Sequence, residues 1–254
     1  MKDNLPTSPL VLDNVSHGFG NLSVLENLNV VVNKGEFVVL VGPSGCGKTT
    51  ILNLLSGYIR PNSGQVKREG VIRTVYQQDG LFPWLTVSEN ISMGLRSVTK
   101  QIQRDEELRN LFELINLKGF EHHYPHQLSG GMRQRVELAR ALAGDSDILL
   151  MDEPFSSLDY QSRLRIRREL VRILAKRSRT VVFVTHDIEE AALLADRVLV
   201  LSNRPATICR EMRIPLPHPR KSSHPLVIEA METILNELGL QILVDQDVSN
   251  FSNI

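Results

Sequence analysis

A chain of 254 residues with 42% hydrophobic content is long enough to bury a large core, as one elaborated domain or as two lobes. Lysine plus arginine and aspartate plus glutamate both number 29, a balance that argues against a basic, nucleic-acid-coating protein. Two cysteines, Cys46 and Cys209, make no disulfide framework, and no apolar run approaches the roughly 20 residues that span a bilayer. The opening Met1-Lys2-Asp3-Asn4-Leu5-Pro6 lacks the long apolar stretch of a signal peptide. The expectation is a soluble chain with free thiols in a reducing compartment, able to dock on a membrane protein.

From the start, Leu10-Val11-Leu12 and Val30-Val31-Val32 are strand-like, and His17-Gly18-Phe19-Gly20-Asn21 marks a turn. Phe19 on that turn either closes a small core or stacks on a nucleobase. Phe37 to Val41 is an apolar run that predicts a buried strand, and Thr50 to Leu55 has helical periodicity. Between them, Gly42-Pro43-Ser44-Gly45-Cys46-Gly47-Lys48-Thr49 matches the phosphate-cradling loop G-x-x-x-x-G-K-[ST] at every fixed position. Glycines let the main chain curl until several N–H groups converge on one anion, and the helix start behind them adds favourable partial charge. Lys48 is expected to reach the β- and γ-phosphates, and the Thr49 hydroxyl to ligate Mg²⁺.

Pro61-Asn62-Ser63-Gly64 predicts a turn, and Val71 to Tyr76 a strand ending at Gln77. The loop from Gln77 to Trp84 mixes polar side chains with the only tryptophan, so it is either a contact surface or a packed corner. From Val87 to about Tyr124 the pattern turns helical, with Leu108, Leu111, Phe112 and Ile115 on one stripe. His122, His123 and His126 read as solvated loop residues, because no cysteine or carboxylate pattern completes a ligand set.

Ser129-Gly130-Gly131 caps a helix running through Val136 and Leu142, and its unshielded N–H groups offer a second anion site. Ile148 to Met151 is a buried strand ending in Asp152 and Glu153, where parallel sheets place their chemistry. Asp152 fits a Mg²⁺ partner, and Glu153 the group that polarises an attacking water. A helix beginning at Ser156 to Asp159 carries Arg163, Arg165, Arg167, Arg168, Arg172, Lys176, Arg177 and Arg179, read as a solvated face rather than a nucleic-acid patch. Thr180 to Thr185 predicts a strand with His186 just past its end, placed to bond a phosphate or the attacking water. Ile188 to Ala195 predicts a short helix and Arg197 to Leu201 a strand. After Pro215 come a linker and an amphipathic helix with Val227, Met231, Ile234, Leu235 and Leu238 on one stripe, expected to pack back on the body.

The order Gly42 to Thr49, Gln77, Leu128 to Gln134, Ile148 to Glu153, Ser157-Leu158-Asp159 and His186 resembles the ATP-binding cassette ATPases, the motors of ABC transporters, over about residues 10–215. The resemblance implies an α/β fold: a P-loop NTPase (RecA-like) core with an antiparallel β subdomain and an inserted α-helical subdomain. It implies an ATPase domain over 8–215 with the helical part at about 85–143, followed by a C-terminal linker and helix over 216–254. It further implies two subunits, most simply a homodimer, sandwiching ATP and Mg²⁺. Each ATP is held by Gly42 to Thr50 of one copy and by Ser129, Gly130 and Gly131 of the other. Phe19 then falls where an aromatic stacks on adenine, Gln77 at the Mg²⁺-sensing loop that contacts the membrane partner, Asp159 at the dimer contact and His186 at the switch histidine. Gly80 to Trp84, Met132 to Arg135 and the tail Ile214 to Arg220 look like the nitrate, sulfonate and taurine importer ATPases. That group works at the cytoplasmic face of the membrane with a permease and an extracytoplasmic solute-binding protein. An exporter or lipoprotein-releasing motor is the alternative.

Overall fold

The computed structural model describes residues 8–76 and 80–240. Strands β1 (Leu10–Phe19) and β2 (Leu22–Val32) alternate buried and exposed positions and pair antiparallel, from Leu10↔Val32 to Phe19↔Leu22. The sequence suggested shorter segments. Register shifts between Leu12 and Gly18 bend what is a continuous hairpin, and Gly20 turns it at φ 57°.

Strand β3 (Phe37–Val41) is buried at every position and leads into helix α1 (Lys48–Ser56). Helix α1 buries Ile51, Leu52, Leu54 and Leu55, each contributing about 1.5–3 kcal/mol of burial, and stops at Gly57, whose left-handed backbone lets its N–H reach Leu54 O. Strand β4 (Ser63–Arg68) starts inside the expected turn and completes a sheet of order β2-β1-β4. Its polar sequence, Ser-Gly-Gln-Val-Lys-Arg, carries no strand signal. Strand β5 (Ile72–Val75) follows.

The expected long helical stretch divides. Helix α2 (Val87–Ser92) opens on a Thr86/Glu89 capping box, a 3₁₀ turn covers Met93–Leu95, and α3 (Gln101–Ile115) ends at Asn116 in the left-handed region. Helix α4 (Gly130–Leu142) is capped by Ser129. Strand β6 (Ile148–Asp152) precedes α5 (Tyr160–Lys176), which Asp159 caps through Ser162 N. Strand β7 (Thr180–Val184), α6 (Ile188–Leu194), β8 (Arg197–Leu201), β9 (Ile208–Arg213) and α7 (Pro225–Glu237) complete the order.

The main sheet runs β5-β6-β7-β3-β8-β9, with the first five strands parallel and β9 antiparallel to β8. Both faces are covered, which is why its strands read as unbroken apolar runs. Val39 and Val41 face the cluster formed with α2, α3 and α4, whereas Val38 and Leu40 face α1 and the antiparallel sheet. Helix α7 lies on α6, burying Val227, Ala230 and Ile234. The preceding segment is anchored by the buried Arg220 guanidinium, which donates to Ala195 O at 2.6 Å and Ile214 O at 3.0 Å. Among the described residues no helix is long and apolar enough to cross a membrane.

Candidate nucleotide site

Parallel pairing aligns the C-terminal ends of β3, β6 and β7, so three loops distant in sequence emerge side by side: Gly42–Thr49, Asp152–Glu153 and Thr185–His186. Gly47 shows why the first of these needs its glycines. Its φ is 123°, and a Cβ there would stand 2.8 Å from Leu25 Cδ2 and 2.9 Å from Val24 Cγ1. Gly45 also has positive φ, and it lies with Ser44 on the exposed side of the loop. Lys48 is buried, and Nζ donates to Gly42 O at 2.8 Å and Pro43 O at 2.9 Å. Its ammonium is therefore folded into the loop by neutral carbonyls that an anionic phosphate can displace. Cys46 is buried behind the loop, and burial pushes its thiol up in spite of Lys48.

Asp152 is buried at the end of β6. Burial raises its carboxyl above the ordinary range; the facing Thr49 hydroxyl and Lys48 oppose the rise, and the Glu153 carboxylate adds to it. Glu153 follows with φ 47°, a left-handed backbone unusual for glutamate, and its N–H donates to Val184 O at 2.9 Å. This turn swings its carboxylate to 3.2 Å from His186 Nδ1. The imidazole is two-thirds exposed, at 66%, while Glu153 is mostly enclosed, at 17%.

Oxygen donors of this type suit a hard divalent cation. Thr49 and Asp152 face one another beside the phosphate loop, so the residues present fit Mg²⁺. Phe19 is 55% exposed and meets the His17 ring edge-on, with ring centroids 4.8 Å apart, an arrangement open to a planar base. Gln77 lies outside the described residues. On either side of it, Tyr76 N and Gly80 N donate to the two oxygens of Glu137 on α4, at 3.2 and 3.3 Å.

Ser129 and Gly130 are exposed, Ser129 Oγ accepts from Met132 N, and a Cβ on Gly131 would meet Ser157 O at 2.9 Å. Among the described residues no hydrogen bond joins this cap to the phosphate loop of the same chain. Asp159 is exposed, and hydrogen bonds from Ser162 hold its carboxyl low.

Several residues of the site escape sequence reasoning. Gln134 is buried and donates to Glu153 O at 3.0 Å while accepting from Ser157 N at 2.9 Å, tying α4 to both neighbouring loops. Arg163, Arg167 and Arg179 were expected on a solvated helix face. Instead Arg163 pairs with Asp187, Arg167 with Glu189, and Arg179 donates to Leu142 O and Gly144 O. The 3.6-residue period marks which face is charged but not which charges find partners across it. A cavity of about 570 Å³ between α3 and α5 is lined by Glu107 and Arg172 and lies away from these carboxylates. The site is an open shelf, to which cavity size is a poor guide.

Known proteins resemble this chain in both sequence and fold. The family profile described as ABC transporter matches residues 25–156. An uncharacterized ABC transporter ATP-binding protein of Methanocaldococcus jannaschii is 43% identical over 232 residues, covering 87% of this chain and 86% of the relative. The aliphatic sulfonates import ATP-binding protein SsuB 1 of Rhodococcus jostii is 40% identical over 243 residues, covering 92% of this chain and 96% of the relative. The SsuB of Bacillus cereus strain ZK is 38% identical over 226 residues, covering 86% and 89%. Among solved structures, a dimeric post-hydrolysis ATP-binding cassette bound to ADP and Pi superposes with a TM-score of 0.73 at 32% identity, over 82% of this chain and 100% of that one.

Proposed function

The chain belongs to the ABC transporter family of ATP-hydrolysing cassettes, and from that premise we propose that it is the motor of an importer, energising uptake of a small sulfonate-, taurine- or nitrate-like anion through a separate permease. The observation that carries the reading is the meeting of Glu153 and His186 at 3.2 Å on the sheet edge that also carries the phosphate loop. The solute class is supported by the names of the relatives, two of which are sulfonate-import ATP-binding proteins at about 40% identity.

In this mechanism the N–H groups of Gly45 to Thr50 and the Lys48 ammonium bind the β- and γ-phosphates, and Phe19 stacks on adenine. Thr49, Asp152 and Gln77 would hold Mg²⁺, which would supply neutralisation of charge on the terminal phosphates. Glu153 orients the attacking water and takes its proton at Oε, while His186 holds Glu153 from one side and reaches toward the γ-phosphate with its exposed edge. Ser129, Gly130 and Gly131 of a second copy close over that phosphate, with Asp159 at the contact, so triphosphate bridges two subunits and its hydrolysis releases them. The exposed Trp84, its ring centroid 5.6 Å from that of Phe82, offers an apolar surface to a permease. Attachment to the membrane then runs through that permease, which works with an extracytoplasmic solute-binding protein.

The test is reconstitution with the candidate permease in liposomes. Uptake of an aliphatic sulfonate that requires ATP, an external binding protein and Glu153 supports the proposal. Transport in the outward direction without a binding protein would make the chain an exporter motor.

A further inference from the structure

Helix α5 follows the loop Ser156–Asp159 and helix α6 follows His186, so whatever fixes the distance between the two helix starts ties that loop to the segment carrying the imidazole. Arg163 spans that distance. Its Nη2 donates to Leu158 O at 3.4 Å, and its Nη1 lies 3.2 Å from Asp187 Oδ2. Asp187 caps α6, its Oδ1 accepting from Glu190 N at 3.1 Å. Beneath the cap, Thr185 Oγ1 accepts from Asp187 N at 3.0 Å and bonds the buried Glu190 carboxyl group at 2.7 Å.

The arginine is not fully satisfied. Its Nε is buried without a hydrogen-bond partner, and Glu190 Oε1 stands 3.8 Å away, beyond hydrogen-bond reach. The space among Arg163, Glu153, Thr185, His186 and Glu190 is only about 10 Å³, no more than one water could occupy. Helix α5 is seated in the core by Ile166 and Leu170, apart from this guanidinium.

We propose that Arg163 is a positioning residue, a strap that joins Leu158 to Asp187 and so carries movement of the Ser156–Asp159 loop to the His186–Glu153 pair. The inference rests on the ABC ATPase reading of this site, in which a second copy presses on Asp159. The unfilled bond gives the strap two states. A displacement of about one ångström between α5 and α6 brings Nε within reach of Glu190, so the closed arrangement gains a bond that the open one lacks. Arg163 and Asp187 lie outside the phosphate loop, so the strap is expected to act on turnover and leave affinity alone.

The experiment measures steady-state ATP turnover, equilibrium ATP binding and thermal midpoint on the full chain for Arg163→Met, Arg163→Lys, Glu190→Gln and the Met/Gln double variant, with Glu153→Gln as control. Arg163→Met is expected to lower kcat about tenfold or more with ATP affinity within about twofold, Arg163→Lys to recover part of the loss, and the double variant to be no slower than Arg163→Met, as two parts of one link require. A kcat for Arg163→Met within about twofold of wild type, a parallel loss of affinity, or a double variant with the product of both losses overturns the strap. Should Arg163→Met fail to fold, Arg163→Lys decides: slower turnover at unchanged affinity supports the strap, since a single ammonium does not reproduce the guanidinium fork, and unchanged turnover overturns it. If Glu153→Gln turns over ATP like wild type, the site reading falls and the strap with it. If that control is dead and Arg163→Met is fast, only the strap falls.

Discussion

Glu153 Oε2 lies 3.2 Å from His186 Nδ1, although the two residues leave the ends of neighbouring strands β6 and β7. The contact depends on the left-handed backbone at Glu153, because an extended residue there would continue the line of β6. A non-glycine residue in that region costs of order 1 kcal/mol, strain held in place by Gln134 Nε2 and Val184 O on the adjoining peptide groups.

Glu153→Gln is therefore expected to fold normally and bind ATP while turnover falls at least about a hundredfold, the usual worth of a positioned general base. With hydrolysis blocked, added ATP should convert the chain to a stable dimer by size-exclusion chromatography with light scattering. Turnover near the wild-type rate would remove Glu153 from the role of base.

A second expectation concerns Lys48. Its ammonium now bonds Gly42 O and Pro43 O, so it exchanges neutral acceptors for phosphate oxygens when nucleotide binds. A charge-assisted bond of this kind contributes about 2 kcal/mol, or about thirtyfold in Kd. Lys48→Met should weaken ATP binding by that factor, read by equilibrium titration with a fluorescent analogue, and affinity within a factor of three of wild type would contradict it.

The phosphate loop and the Asp152–Glu153 pair were legible in the sequence because strand, loop and helix are contiguous there, and local chemistry dictates local shape. The arginines of α5 were not. Arg163 and Arg168 look alike in the chain, yet Arg163 faces Asp187 and Arg168 faces solvent, a distinction that exists only once α6 is docked. Strand β4 was missed for a similar reason. Its polar residues lie at a sheet edge, where pairing with β1 and not burial makes the strand. The helical stretch after Val87 was found but not its break, since the 3₁₀ turn at Met93–Leu95 keeps Leu95 buried and α3 then starts at Gln101 without a side-chain cap to mark it.

Glu190 predicts a specific pH dependence of stability. Burial pushes its carboxyl up to about 7, Asp187 adds to the rise, and the Thr185 hydroxyl, Arg163 and Arg167 oppose it. The folded value exceeds the unfolded one near 4.5, so the folded chain keeps a proton that the unfolded chain releases. This contribution is complete below about pH 4.5 and is lost as pH rises through about 7, with a full size on the order of 3 kcal/mol. Glu190→Gln cannot lose the proton. Its stability relative to wild type, measured by urea denaturation, should therefore improve between pH 5 and pH 7.5, and a difference that stays constant would show that Glu190 does not titrate there.

The exposed cap at Ser129 and Gly130 makes the sharpest demand on assembly. Among the described residues it makes no hydrogen bond to the phosphate loop of its own chain, and in the composite-site reading the two come from different copies. Lys48→Met and Ser129→Arg should each abolish turnover alone. In a heterodimer of the two variants both lesions fall on one composite site, and the other site is built entirely from intact parts. An equimolar mixture that exchanges subunits at random makes half of its dimers of this kind, each with one working site, so turnover should return to about a quarter of wild type. A mixture as inactive as its components, under conditions where subunit exchange is demonstrated by fluorescence transfer, would place the whole site within one chain or make both sites obligatory.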